Sequence, residues 1–148
     1  MTIFLRSLLI GLATGGRSSL GIATLALTAP DTGSRWTSRP AKVAAVLAAA
    51  GELTVDKLPQ TPSRLDPRGQ VFRAVAGAAA GAILAQREGN GRSRTVLAGV
   101  LSAAGAWAGA QAGAHWRGLA ASKIGPDWPG AIAEDALSVA LARQACRD

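Results

Sequence analysis

Six charged side chains stand where charge is expensive. Glu52 and Asp56 are four residues apart, which puts them on one face of a helix. Both fall inside an apolar run over residues 41–58, with Lys57 next to Asp56. Glu134 and Asp135 interrupt a second apolar run, 129–145. Being adjacent, they diverge around a helix, so at most one points along a given line into a bundle. Arg17 is the natural counter-charge, because Gly15, Gly16, Ser18 and Ser19 around it admit a helix break and offer spare donors. A charge at membrane depth costs about 2.5–3.5 kcal/mol on insertion scales unless it is paired or solvated. Arg17, Glu52, Asp56, Lys57 and Asp135 are therefore a candidate buried polar cluster, able to hold an ion, a proton or an anionic headgroup. The same residues also suit a purely structural set of ion pairs, or acids lying at the interface at the ends of short helices.

Other chemistry is sparse. His115 is the single histidine and ends an apolar run beside Trp116, a position better suited to an interface than to catalysis. Cys146 is the single cysteine, with no evident base, so an intrachain disulfide is excluded. No phosphate-binding loop, zinc-protease helix or nucleophile elbow occurs, and neither a cofactor nor a metal is expected. The formal charge is +7, and arginine outnumbers lysine thirteen to three. The arginines are spread between apolar segments instead of gathering on a tail with stacking aromatics, which argues against nucleic acid as a partner.

The elements that carry these residues are apolar to an unusual degree. Of 148 residues, 49% are hydrophobic before the 18 glycines are counted, and 17% are charged. Ordinary soluble domains reach about 45–50% apolar with glycine included, and about 25% charged. Joint enrichment in Ala, Gly and Arg matches GC-rich codons, so part of this composition needs no functional reason. Five apolar stretches emerge, at 3–29, 41–58, 71–85, 95–116 and 129–145. A bilayer-spanning helix needs about 17–25 apolar residues. The fourth stretch meets this without any charge, and the first does so if Arg17 is sheltered. The other three are short, and two contain acids. None shows the polar outer face of a soluble amphipathic helix, although an Ala-rich soluble bundle is the competing reading. Arg6 and the apolar run after it imitate a signal peptide, but Arg17 breaks that run early and Pro30 follows the best cleavage position. We expect one all-α domain over 1–148: a multi-pass membrane protein of about five short Ala/Gly-rich helices, with a helix break near Arg17.

Turn chemistry separates the stretches, with prolines at 30, 59 and 62, a Gly89-Asn90-Gly91 turn, and Asp127-Trp128-Pro129 as a helix start. Trp36, Trp116 and Trp128 lie near segment ends, where amphipathic rings favour headgroups. Gly77 and Gly81 have GxxxG spacing, and Gly105, Gly109 and Gly113 repeat it twice. Such stripes let helix backbones approach closely, within the bundle or between copies in a homo-oligomer. Charge alone does not decide orientation: Arg17 apart, five crossings divide Lys and Arg eight to seven between the two sides. A slight lean puts the first and third loops in the cytoplasm if Lys57 belongs to the cluster, and dual topology stays open. The second and fifth stretches each end an Ala-rich run with acids, a faint echo of an inverted repeat.

Taken together, Gly15-Gly16-Arg17-Ser18, Ala49-Ala50-Gly51-Glu52-Leu53, Asp56-Lys57-Leu58-Pro59 with Thr61-Pro62-Ser63-Arg64, and Pro129 through Leu137 give the chain a resemblance to a family of small bacterial integral membrane proteins, domain-of-unknown-function family 4126. That resemblance implies a multi-pass protein of the inner (plasma) membrane with no assigned substrate and no catalytic residue to carry over. The function expected is small-solute, ion or lipid handling through the charged cluster. The alternative is an assembly subunit packing against another membrane protein through its glycine stripes, and a membrane-embedded lipid enzyme comes third.

Overall fold

The computed structural model describes residues 1–30, 38–55, 66–124 and 127–147. It is all-α, and its described residues form six helices: α1 (Ile3–Gly16), α2 (Leu20–Thr28), α3 (Arg39–Val55), α4 (Pro67–Arg87), α5 (Arg92–Ile124) and α6 (Asp127–Ala145). The count exceeds five because the first apolar stretch is two helices. Arg17 takes an extended backbone, φ −143° and ψ 112°, and its N–H closes the last α1 bond on Ala13. The chain then reverses over 17–19. Gly21 of α2 faces Thr14 and Ile10 of α1, and Leu25 reaches the cluster of Ile10, Ala80, Leu84 and Ala145. The pair is thus a helical hairpin whose tip is Arg17–Ser18–Ser19.

Local signals explain the other boundaries. Asp66 caps α4 by accepting from the Arg68 N–H at 2.9 Å, and Pro67 opens the helix where no donor is required. Gly89, at φ +69°, makes the left-handed turn after α4, and Asn90 Nδ2 donates to Ala85 O at 3.2 Å. The fourth stretch outruns its apolar portion: α5 continues past Trp116 through Arg117 to Ile124.

α5 is the central helix, packed against α1, α4 and α6, while α3 touches only α2 among the described elements. Close approach is the work of glycine. A Cβ at Gly11 would strike the Ser102 carbonyl, and one at Gly15 the Ala106 carbonyl. On the facing helix, Gly105 lies against Leu8 O and Gly109 against Leu12 O. Gly77 and Gly81 do the same between α4 and α5, against Ser102, Ala106 and Ala98. Gly113 borders a groove instead. The predicted stripes are thus occupied within the chain, and α1 answers them with Gly11 and Gly15.

The interior is built mostly of alanine and small hydroxyl side chains around the Ile10–Leu25–Leu84 cluster, while many large apolar side chains lie on the exterior. The largest fully buried side chains are Ile10, Leu25, Thr14, Ser7 and Ser102. Outside lie Leu47, Phe72, Trp128 and Leu137, each more than 60% exposed, with many valines. Two of the buried hydroxyls bond back to their own helix, Ser7 Oγ to Ile3 O at 2.8 Å and Thr14 Oγ1 to Ile10 O at 2.7 Å, whereas Ser102 Oγ has no hydrogen-bond partner among the described residues. By length and composition, α5 is the one described helix long and apolar enough to cross a membrane. α4 and α6 have the length, but their alanines and charges leave them short of the apolarity, and α1 is shorter still. Helix composition therefore does not carry the expectation of five crossings.

The helices share two ends. At one, Arg6 Nε donates to Ala145 O at 2.6 Å while its guanidinium pairs with Glu88 at 2.5 Å, and Lys42 Nζ donates to Ala29 O at 2.9 Å. These bonds join the start of α1 to the ends of α4 and α6 and the start of α3 to the end of α2, and the short turn after α4 brings the start of α5 to the same end. At the other end Trp116 Nε1 donates to Gly130 O at 2.9 Å, joining α5 to α6.

Candidate functional site

Arg17 projects from the hairpin tip to Asp135, about midway along α6. The contact is a two-pronged one: Nε to Oδ1 at 2.8 Å and Nη2 to Oδ2 at 3.1 Å. Parallel bonds of this kind fix both the position and the plane of the carboxylate. The Arg17 side chain is 9% exposed and that of Asp135 is 32%. The pair therefore sits at the edge of the bundle, with its cation inside and its anion toward the rim.

Glu134 turns inward, at 7% exposure, on the neighbouring flank of α6. Ser138, one turn on, and Gly16 of α1 lie beside it; a Cβ on Gly16 would collide with Ser138 Oγ and come within 3.8 Å of Glu134 Oε1. Together they border an open groove of about 500 Å³ between α1, α5 and α6, walled by Leu12, Gly109, Gly113, Trp116 and Leu137. Glu134 is the ionisable side chain lining it. A second groove, of about 430 Å³, opens on the other side of the tip, where Ser18 and Ser19 meet Ile22, Ala45, Phe72 and Ala76. The tip thus separates two apolar grooves and presents polar groups to each. Chemically, the first groove has a buried carboxylate in its wall, close to the Arg17–Asp135 ion pair.

Of the five residues of the sequence-derived cluster, the structure brings Arg17 and Asp135 together. Glu52 belongs to the last turn of α3, with its side chain outside the described residues, and Asp56 and Lys57 lie outside them altogether. Sequence reasoning weighed Glu134 but kept Asp135 in the cluster in its place, and it passed over Ser138, whose four-residue spacing from Glu134 was the available signal. It also passed over buried Arg6 and Arg73. His115 is exposed, with its Nδ1 3.0 Å from Gln111 O of its own helix. Among the described residues no three His, Cys, Asp or Glu side chains converge to hold a metal ion. No family model, curated protein or solved structure matches the chain.

Proposed function

We propose that the chain is a multi-pass helical protein of the inner (plasma) membrane that handles a small cation, a proton or a cation-bearing solute at the Glu134 groove. The observation that carries this reading is a charged hairpin tip held within a bundle that turns many large apolar side chains outward. Soluble monomers rarely expose contiguous apolar patches beyond a few hundred Å², whereas lipid-facing surfaces are made of such side chains and membrane interiors of small ones. Residues 128–145 span about 26 Å and residues 94–116 about 33 Å at 1.5 Å per residue, bracketing the hydrocarbon thickness of about 30 Å. Those distances separate the arginine-rich end from Trp116 and Trp128. The hairpin, about 21 Å deep along α1, would be re-entrant and would put Arg17 at membrane depth, where ionisable groups mark pathways and binding sites. Broken helices lining a cavity are a recurrent way of building such sites. The resemblance to domain-of-unknown-function family 4126 is part of this proposal.

The test is flux into liposomes holding the purified chain alone, followed with an interior pH dye and with monovalent-cation indicators. Flux above protein-free vesicles, reduced at least about tenfold by Glu134→Gln, is expected, in line with the cost of removing an essential charge. Wild-type vesicles as tight as empty ones overturn the reading. An assembly subunit is less well supported, because the glycine stripes it would offer a partner are already packed inside the chain.

A further inference from the structure

We infer that the end of the bundle holding both termini is an anionic-lipid face, turned toward the cytoplasm. This inference rests on the membrane reading above. Five simple crossings would put the N-terminus opposite the first loop and leave the basic residues evenly divided. The hairpin changes that arithmetic, because the first stretch enters and returns on one side. Arg6 is thereby brought to the end that already holds Arg39, Lys42, Arg87, Arg92, Arg94, Arg143 and Arg147. Among the described residues this end carries eight cations and one acid, Glu88, which Arg6 engages. The opposite half carries five cations and, counting Glu52 and Asp127 by helix position, five acids. The described part of the chain thus concentrates its net charge of +7 on one end.

Six of these arginines, at 39, 87, 92, 94, 143 and 147, are solvent-exposed, and the helix turns at the same end carry outward apolar residues such as Leu5, Leu27, Val96 and Leu97. A basic rim continuous with an apolar wall matches the boundary where anionic phosphate headgroups meet acyl chains. Juxtamembrane Lys and Arg are attracted to anionic leaflets and retained on the cytoplasmic side. Nucleic acid would meet the same charge, but not the apolar wall around it.

The experiment uses the full chain with Cys146→Ala as background, carrying either Ser93→Cys at the basic end or Ser122→Cys near the other. Cells are fractionated first; protein recovered as soluble would overturn the membrane reading itself, and the present inference with it. With the protein in membranes, a membrane-impermeant maleimide is expected to label Ser122→Cys in intact cells and Ser93→Cys only after permeabilisation. Labelling of Ser93→Cys from outside overturns the orientation alone. For the headgroup, native mass spectrometry of the detergent-solubilised chain with added phosphatidylglycerol or phosphatidylcholine is expected to show at least about fivefold preferential retention of the anionic lipid. That preference should fall toward parity in the triple variant Arg92→Ser, Arg94→Ser, Arg147→Ser. Equal retention of both lipids by the wild type, a preference untouched by the triple variant, or capture of nucleic acid in place of lipid overturns the assignment.

Discussion

The Arg17–Asp135 pair lends itself to a double-mutant cycle, because its two ends differ in depth. Breaking a fully buried ion pair by removing one partner costs about 3–5 kcal/mol, whereas exposed pairs contribute at most about 1 kcal/mol. With Arg17 at 9% and Asp135 at 32% exposure, the pair lies between these limits, and a coupling energy of about 1–3 kcal/mol is expected. The single variants should be unequal. Asp135→Asn keeps the size of the side chain but leaves the guanidinium charge at the buried tip, costing about 2–3 kcal/mol. Arg17→Met leaves a carboxylate that already reaches the rim and can hydrate, so about 1–2 kcal/mol is expected. Arg17→Lys restores charge without the fork that spans both carboxylate oxygens, and should recover only part of the loss. The assay is reversible unfolding in mixed micelles, followed by tryptophan fluorescence, since Trp116 is bonded to Gly130 across the α5–α6 contact. A coupling below about 0.5 kcal/mol, within the usual additivity error, would refute the claim that the two groups hold the tip to α6. A greater cost for Arg17→Met than for Asp135→Asn would refute the depth argument.

Other expectations follow from packing and titration. Gly15→Ala and Gly109→Ala each drive a methyl into facing backbone, at Ala106 and Leu12, and should cost at least about 1–3 kcal/mol in the same assay. Gly118→Ala, with open space around its Cβ position, should be neutral or stabilising by up to about 1 kcal/mol through helix propensity. Ser102 Oγ is buried without a hydrogen-bond partner among the described residues, so Ser102→Ala should stabilise by about 1 kcal/mol; a loss of similar size would mean the hydroxyl is satisfied. Beyond the end of α6, burial pushes the Cys146 thiol up, against smaller opposing effects of Thr28, Arg6 and Arg87. Its alkylation rate should therefore reach half-maximum above the ordinary thiol value of about 8.5. The folded state holds that proton more tightly than the unfolded chain does. The associated stability is complete below the unfolded pKa and is lost as pH rises through the folded one. An alkylation midpoint at or below the ordinary value would contradict the burial.

What the residues made legible was local, and what they hid was topological. Gly16-Arg17-Ser18 was readable as a helix break, because glycine and a charge in an apolar run leave few alternatives. Whether the chain continues forward or turns back after such a break depends on the approach of Gly21 to Thr14 and on Leu25 joining the cluster of Ile10, Ala80, Leu84 and Ala145, which no periodicity reports. The stripes at 77–81 and 105–109 were visible as spacing, but their mates at Gly11 and Gly15 gained meaning only once α1 lay against α5. Choosing between Glu134 and Asp135 by helical angle missed that both meet the end of the first helix: Asp135 takes the Arg17 guanidinium at the hairpin tip, and Glu134 lies beside Gly16, the last residue of α1. Even the balanced charge count was a consequence of assuming that the first stretch crosses. Once it is a hairpin, Arg6 moves to the side of Glu88 and Ala145, and the tie is broken. A single reversal at Arg17 thus sets the depth of the ion pair and the side on which Arg6 lies. A variant that forced 3–28 into one continuous helix should lose the ion pair and move Arg6 to the opposite end, narrowing the contrast between the two ends of the described residues from +7 against 0 to +6 against +1.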